Sequence, residues 1–170
     1  MSKAKLIKRL QWYYPTERFN AYLFTSVIVY VAYNYPLSHS IFLIYGLVLM
    51  TFILFQGQHY WKLKLYRLTN KSFNEERNLK LFRITKKLNV LLIILIPIVF
   101  ALQWTINKEK NAENELLLWG ILANLVGMLE HINYYHRQLM IDNLADLKYL
   151  IRHKKLKIAS LKKDIDEDRI

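Results

Sequence analysis

The residues of this 170-residue chain that are best suited to chemistry follow directly after a long apolar run. Glu130, His131, Asn133 and His136 lie close together there. A carboxylate beside hydrocarbon is costly to desolvate, so this cluster is a candidate ligand site, ion pathway or acid–base site. The competing interpretation is structural: Glu130 pairs with Arg137 or with a lysine of another helix, and the histidines are ordinary interfacial residues.

Polar residues from three other apolar segments are predicted at a similar depth, where they would complete a polar pocket facing the cytoplasm. These residues are Gln56, His59, Asn20 and Asn89. Their spacing does not predict a metal, because Glu130 and Asn133 have a usable separation but the wrong second ligand. A haem held by His59 and His131 rests on two histidines alone, which is weak support. We therefore predict no metal and no cofactor, and assign no catalytic residue.

A stripe of small and polar residues at one-turn spacing leads into the cluster. It consists of Gly120, Ala123, Asn124 and Gly127. Small residues on one face of a membrane helix allow close approach of a neighbouring helix. We expect this stripe to pack against other helices and to direct Glu130 and His131 toward the bundle.

Four apolar segments must position these residues. They cover about 19–35, 40–61, 88–106 and 116–135. A helix needs about 20 mostly apolar residues to cross a bilayer. A soluble helical bundle is the alternative, but its core helices rarely lack charge on every face over such a length. The predicted fold is all-α: an integral membrane four-helix bundle made of two transmembrane hairpins.

The basic residues predict the orientation of these spans. The net charge is +12, and only two of the 25 Lys and Arg residues, Lys108 and Lys110, lie in a predicted outer turn. The positive-inside rule then places both termini and the central segment 62–87 in the cytoplasm. Nucleic-acid binding is the weaker explanation of the charge, because anionic headgroups already account for it. The absence of cysteine excludes disulfides, thiolate metal sites and a cysteine nucleophile.

Three basic segments lie outside the predicted spans. Residues 1–18 are predicted to form an amphipathic segment on the inner surface. Residues 62–87 are predicted to form a protruding helical hairpin, in which Ser72 and Glu75 have the spacing of a capping box. Residues 136–170 are predicted to form a basic helical tail. Two alternatives stay open for it: a solvated or membrane-surface tail, or docking against the hairpin or a partner.

The C-terminal part of the chain, about its last 45 residues, resembles a known group of proteins. The stretch LEHINYYHRQLMIDNLADLKYLIRHKKLKIASLKKDI, residues 129–165, is similar to the C-terminal part of small bacterial four-span membrane proteins, some labelled general stress protein. The resemblance implies a protein of the bacterial cytoplasmic membrane and implies nothing about mechanism.

The function predicted from these features is non-catalytic. We expect a membrane-embedded binding or interaction module whose basic cytoplasmic face meets anionic headgroups or a protein partner, and which forms homo-oligomers. The first alternative is a small transporter or channel that uses Glu130 and His131. The second is a membrane enzyme acting on a lipid-linked substrate. A pore should carry polar residues along a whole span, whereas the second and third segments are apolar through their middles.

Overall fold

The computed structural model describes residues 3–107, 115–141 and 144–170, and this part of the chain is helical, with one isolated β-bridge and no strand. The helices are α1 Lys3–Asn34, α2 Leu37–Leu68, α3 Glu75–Ile106, α4 Glu115–Tyr135, α5 Leu144–His153 and α6 Ser160–Asp166. The all-helical class is confirmed for these residues. The predicted outer turn 107–115, with Lys108 and Lys110, lies outside them except at its two ends.

Three of the described helices, α2, α3 and α4, are long and apolar enough to cross a membrane. Helix α1, which covers all but the last residue of the predicted first span 19–35, is not among them. It differs from the prediction in a second way, because it continues through Pro15 as one helix of 32 residues. The sequence predicts residues 1–18 as an amphipathic segment on the inner surface, distinct from the first span. A helix can continue through a proline where other groups satisfy the freed carbonyl.

Helix α2 is the centre of the bundle and contacts α1, α3 and α4. Two glycines of α2 permit the closest approach. A Cβ on Gly46 would lie 2.7 Å from the backbone nitrogen of Asn124, and a Cβ on Gly57 would collide with the ring of Tyr134. The backbone of α4 therefore lies against α2 at Gly46, and the Tyr134 ring lies against α2 at Gly57.

The turn between α2 and α3 corrects the predicted capping box. Helix α3 begins after Asn74, whose side-chain oxygen accepts a hydrogen bond from the N–H of Arg77 at 2.8 Å. Ser72 lies before this cap, so it does not cap the helix. Glu75 does not reach back along the helix either; its Oε1 accepts the N–H of Ile170 at 2.6 Å. The Glu75 carboxylate therefore makes a long-range contact with Ile170 instead of a local cap on its own helix.

The segment 160–170 docks on the second half of α2 and the first half of α3. Leu161 and Ile170 are buried in one apolar core with Tyr60, Leu63 and Phe82. This selects docking on the hairpin for α6, one of the two alternatives that the sequence left open.

Polar contacts fix the same docking. The Tyr60 hydroxyl donates to Asp164 at 2.7 Å, and Lys64 pairs with the same carboxylate. On α3, Arg83 donates to the carbonyl of Ile165 at 3.2 Å and pairs with Asp168. Three features lie at the same end of the bundle: this docking, the α2–α3 turn and the first half of α1. We call this end of the bundle the basic end.

Candidate ligand-binding cavity

A cavity of about 290 Å³ opens at the basic end of the bundle. Its walls come from the first half of α1, the second half of α2, the last turn of α4, the segment after α4, one residue of α5 and the start of α6. Aromatic rings and polar groups share the lining; the rings belong to Trp12, Tyr13, Tyr60, Trp61 and Tyr134. A concave site with apolar walls and a few fixed polar groups is typical of small-molecule pockets.

Helix α1 supplies one wall through residues at helical spacing. Tyr13, Glu17 and Asn20 line the cavity, and positions three and four apart lie on the same face of a helix. The Arg9 guanidinium lies over the Tyr13 ring, 4.8 Å from its centre. The ring centre of Trp61 on α2 is 6.2 Å from that of Tyr13, which joins the two walls.

Tyr134 connects α4 to this wall. Its hydroxyl donates to the Glu17 carboxylate at 2.6 Å. The ring can cross α2 only because Gly57 has no side chain there. Two of the four glycines of the chain, Gly46 and Gly57, are therefore needed for close packing of α2 on α4, and Gly57 also positions the hydrogen bond at the cavity.

Asn133 forms the bend of the chain at the floor of the cavity. Its Oδ1 accepts the N–H of Leu139 at 2.9 Å and that of Met140 at 3.4 Å. Its Nδ2 donates to Glu130 at 3.4 Å. Asn133 thus turns the chain sharply after α4 and holds the next segment against the cavity.

Asp146 of α5 also lines the cavity, and its charge is paired. Lys157 pairs with its Oδ1 at 2.6 Å, and Gln138 donates to its Oδ2 at 3.1 Å. Burial acts to raise the pKa of Asp146. The hydrogen bonds from Lys157 and Gln138, together with the positive charge of Lys157, outweigh burial and hold that pKa below its usual value. Asp146 therefore adds a polar group to the cavity lining, and Lys157 balances its negative charge.

The sequence-predicted site residues do not meet in one pocket. Asn20 and Asn133 line the cavity. Gln56 and Asn89 lie elsewhere, joined by two hydrogen bonds of 2.9 and 3.0 Å between their amides. His59 lies at a third location, where its Nε2 is 2.7 Å from Oδ1 of Asn78.

The Gln56–Asn89 pair belongs to a closed network. The Tyr135 hydroxyl donates to Gln56 at 2.7 Å and lies 3.1 Å from the hydroxyl of Thr85. All four residues are buried. Their polar groups satisfy one another, as buried polar groups of a helix interface must.

The two histidines of the cluster form a further group. His131 is only 4% exposed, and its ring stacks on Tyr135 with centres 5.1 Å apart. The ring of His136 lies 5.3 Å away. Burial, followed by the charges of Lys86 and Lys162, lowers the pKa of His136. No group of three or more His, Asp or Glu residues that could hold a metal exists among the described residues.

The four residues assigned to helix packing lie on the face of α4 that meets α2. All of them are buried: Gly120, Ala123, Asn124 and Gly127. A Cβ on Gly120 would lie 2.7 Å from the ring of Phe42, and the Asn124 amide donates to the Phe42 carbonyl at 3.0 Å. Helix α2 of the same chain therefore covers this stripe.

Sequence reasoning missed Glu17, Tyr134 and Trp61. Glu17 lies in the basic segment 1–18, which the sequence predicts to lie on the inner membrane surface, and no motif singles out Tyr134 or Trp61. The signal that could have found the site is the spacing of Tyr13, Glu17 and Asn20, which places one acid, one amide and one ring on the same helical face.

No family model, curated protein or solved structure matches this chain. The resemblance of residues 129–165 to small four-span bacterial proteins therefore stays a prediction, and the chemistry of the site has to be argued from its own residues.

Proposed function

We propose that this chain is a four-span protein of the bacterial cytoplasmic membrane, with its basic end in the cytoplasm, and that it binds an amphiphilic ligand without transforming it. The observation that carries the binding function is the cavity of about 290 Å³ between aromatic and polar walls. An amphiphile suits such walls, because its apolar part can contact the rings while its polar part reaches Asn20 and Asn133.

The second half of α1 is the proposed first span. No Lys, Arg, Asp or Glu occurs between Phe19 and Trp61, so this half of α1 and the facing half of α2 form one uncharged hairpin. The hydroxyls of Thr25 and Ser26 donate to carbonyls one turn earlier, at 2.8 and 3.1 Å. Polar side chains satisfied within the helix can face lipid without water.

The depth of the cavity supports an amphiphile as the ligand. Glu17 and Tyr134 meet at the point where the uncharged parts of α1 and α4 end. In a membrane, this level is the boundary between acyl chains and headgroups, where aromatic side chains are enriched. A ligand at that depth has lipid on one side and water on the other.

The arrangement of the other polar groups favours binding over a transport pathway. Gln56, Asn89, Thr85 and Tyr135 bond to one another and are buried, so they form a scaffold between helices. A homo-oligomer, which the sequence led us to expect, would need a face other than the small-residue stripe of α4, because α2 already covers that stripe. Helix α3 offers the most outward-facing apolar residues.

Retention of a ligand by the purified protein tests the binding function. Protein extracted in a mild detergent is examined by native mass spectrometry for a bound lipid-class adduct. Asn20→Phe should fill the cavity and abolish the adduct. Ser26→Phe is the matched control, because Ser26 is an exposed residue on the same helix. An adduct that survives Asn20→Phe, or none on the wild type, contradicts the proposal.

Reporter fusions test the four-span topology separately. Fusions after Lys87 and after Ile170 should both report the cytoplasm, and a fusion inside 107–115 should report the outer side. A fusion after Ile170 that reports the outer side would contradict four spans, because three spans place the two ends of the chain on opposite sides.

A further inference from the structure

Helix α5 turns Asp146, Tyr149 and Leu150 toward the rest of the molecule, where each is partly buried. Asp146 points to Lys157 and Gln138, with which it makes the contacts described above. The Lys157 ammonium lies over the ring of Tyr149, 5.1 Å from its centre, and Tyr149 stacks on His153 with centres 4.3 Å apart. The contacts of Asp146 and Tyr149 with Lys157 and Gln138 therefore hold the helix to the rest of the molecule.

The apolar side of α5 faces outward. Leu144 is 73% exposed and Ile151 is 68% exposed, and Leu147 between them is exposed as well. These positions are three and four apart, so they form one continuous stripe on the helix. Met140 and Ile141, just before the helix, are also exposed. A soluble amphipathic helix has the opposite arrangement, with its apolar stripe against the core.

Basic residues accompany this stripe. They are Lys148, Arg152, Lys154 and Lys155, and all four are exposed. Asp146 is the only acidic residue from 144 to 155, and Lys157 already pairs with it. An outward apolar stripe beside unbalanced positive charge is complementary to a membrane surface with anionic headgroups, which a basic amphipathic helix binds by lying in the interface.

The position of α5 in the chain agrees with that occupant. Asn133 holds the backbone of Leu139 and Met140 at the end of α4, so the chain turns aside immediately where the fourth span ends. Helix α5 follows within a few residues. A chain that leaves the bilayer and turns at once stays at headgroup level.

We propose that α5 lies in the cytoplasmic headgroup layer, with Leu144, Leu147 and Ile151 inserted among the acyl chains and its basic residues on anionic phosphates. This inference rests on the membrane placement proposed above. It adds a second membrane contact, outside the spans, on the segment that also forms one wall of the cavity through Asp146.

The absence of cysteine allows single spin labels to be placed at will. The full chain, carrying Leu147→Cys or Lys148→Cys, is reconstituted in vesicles of phosphatidylcholine alone or with one quarter phosphatidylglycerol. Accessibility to oxygen and to a water-soluble nickel complex is measured for each label. Leu125→Cys, on the exposed face of α4, is the reference for a residue inside the bilayer.

The expected result is that the Leu147 label, like the Leu125 label, is reached by oxygen and shielded from nickel, while the Lys148 label is reached by nickel. Arg152→Gln should lower the ratio of inserted to free α5 about fivefold in the anionic vesicles, from the contribution of one basic residue near a charged surface.

Four results would overturn the proposal, and they are distinguishable. A Leu147 label open to nickel while Leu125 is shielded means that α5 is free in water. A Leu147 label closed to both reagents means that protein, not lipid, covers the stripe. Equal insertion in both vesicles removes the role of the basic residues. A Leu125 label open to nickel refutes the membrane placement itself, and this inference with it.

Discussion

The paired amides of Gln56 and Asn89 should not be equivalent when either is replaced by leucine. Asn89 has Gln56 as the partner of both its amide groups. Gln56 has further partners: its Nε2 also donates to the Phe52 carbonyl at 3.1 Å, and its Oε1 also accepts from Tyr135 at 2.7 Å. Each amide group of Gln56 therefore keeps a partner when Asn89 is lost, whereas Asn89 keeps none when Gln56 is lost.

This difference sets the two magnitudes. Asn89→Leu removes two hydrogen bonds, each worth about 0.6 kcal/mol between membrane helices, so the free energy of unfolding should fall by about 1 kcal/mol. Gln56→Leu leaves two buried groups of Asn89 unsatisfied, at about 1–3 kcal/mol each, and should cost about 2–6 kcal/mol. Adding Asn89→Leu to Gln56→Leu removes the unsatisfied groups, so the double variant should be more stable than Gln56→Leu alone.

The assay is reversible unfolding in mixed micelles with a rising fraction of dodecyl sulfate, followed by tryptophan fluorescence. Gln58→Leu is the matched control, because it makes the same chemical change two residues away at a half-exposed position. Equal losses for Gln56→Leu and Asn89→Leu, or a double variant less stable than Gln56→Leu, would refute the reasoning.

Three further predictions concern a cap, a close contact and a charge. Asn74→Ala should lower the stability of the first turn of α3 by about 1 kcal/mol, seen as faster amide exchange there, whereas Ser72→Ala should leave exchange unchanged. Gly46→Ala pushes a methyl group onto the backbone of α4 and should destabilise the bundle in the same micelle assay by about 1–3 kcal/mol; Gly127→Ala meets only a flexible leucine and should cost less. The pKa of Asp146 is depressed in the folded chain, so its contribution to stability is present above about pH 4 and is lost as the pH falls through the folded pKa. A spin label on α5 should therefore become mobile in acid, and Asp146→Asn should make it mobile at neutral pH.

Most of the helical framework could be predicted from the sequence, because apolar runs of span length leave few alternatives. The segments 40–61, 88–106 and 116–135 fall within α2, α3 and α4. The continuity of α1 could not be predicted in this way. Pro15 usually marks a helix boundary, and only the finished packing shows that the helix runs through it.

The site was predicted less well, because pairing across helices depends on register. Gln56 and Asn89 were both identified as polar residues inside apolar segments, but their pairing depends on the length and shape of the turn between α2 and α3. The cap shows the same limit. Ser72 and Asn74 are both good capping residues, and local chemistry does not choose between them. The choice agrees with the contact of Glu75 to Ile170, which no local pattern contains.

The docking of α6 on the α2–α3 hairpin has a consequence for the order of assembly during synthesis. Tyr60 and Asp164, which the docking joins, are 104 residues apart in the chain. At about 5–20 residues per second, the ribosome makes the second partner roughly 5–20 s after the first. During that interval the hairpin has emerged while Tyr60, Leu63 and Phe82 still lack the residues that cover them. Emergence of residues 160–170 then closes this core, so α6 and the residues after it dock late, on helices that are already in place. A nascent chain stalled before residue 160 should therefore expose the hairpin core to chaperones and proteases.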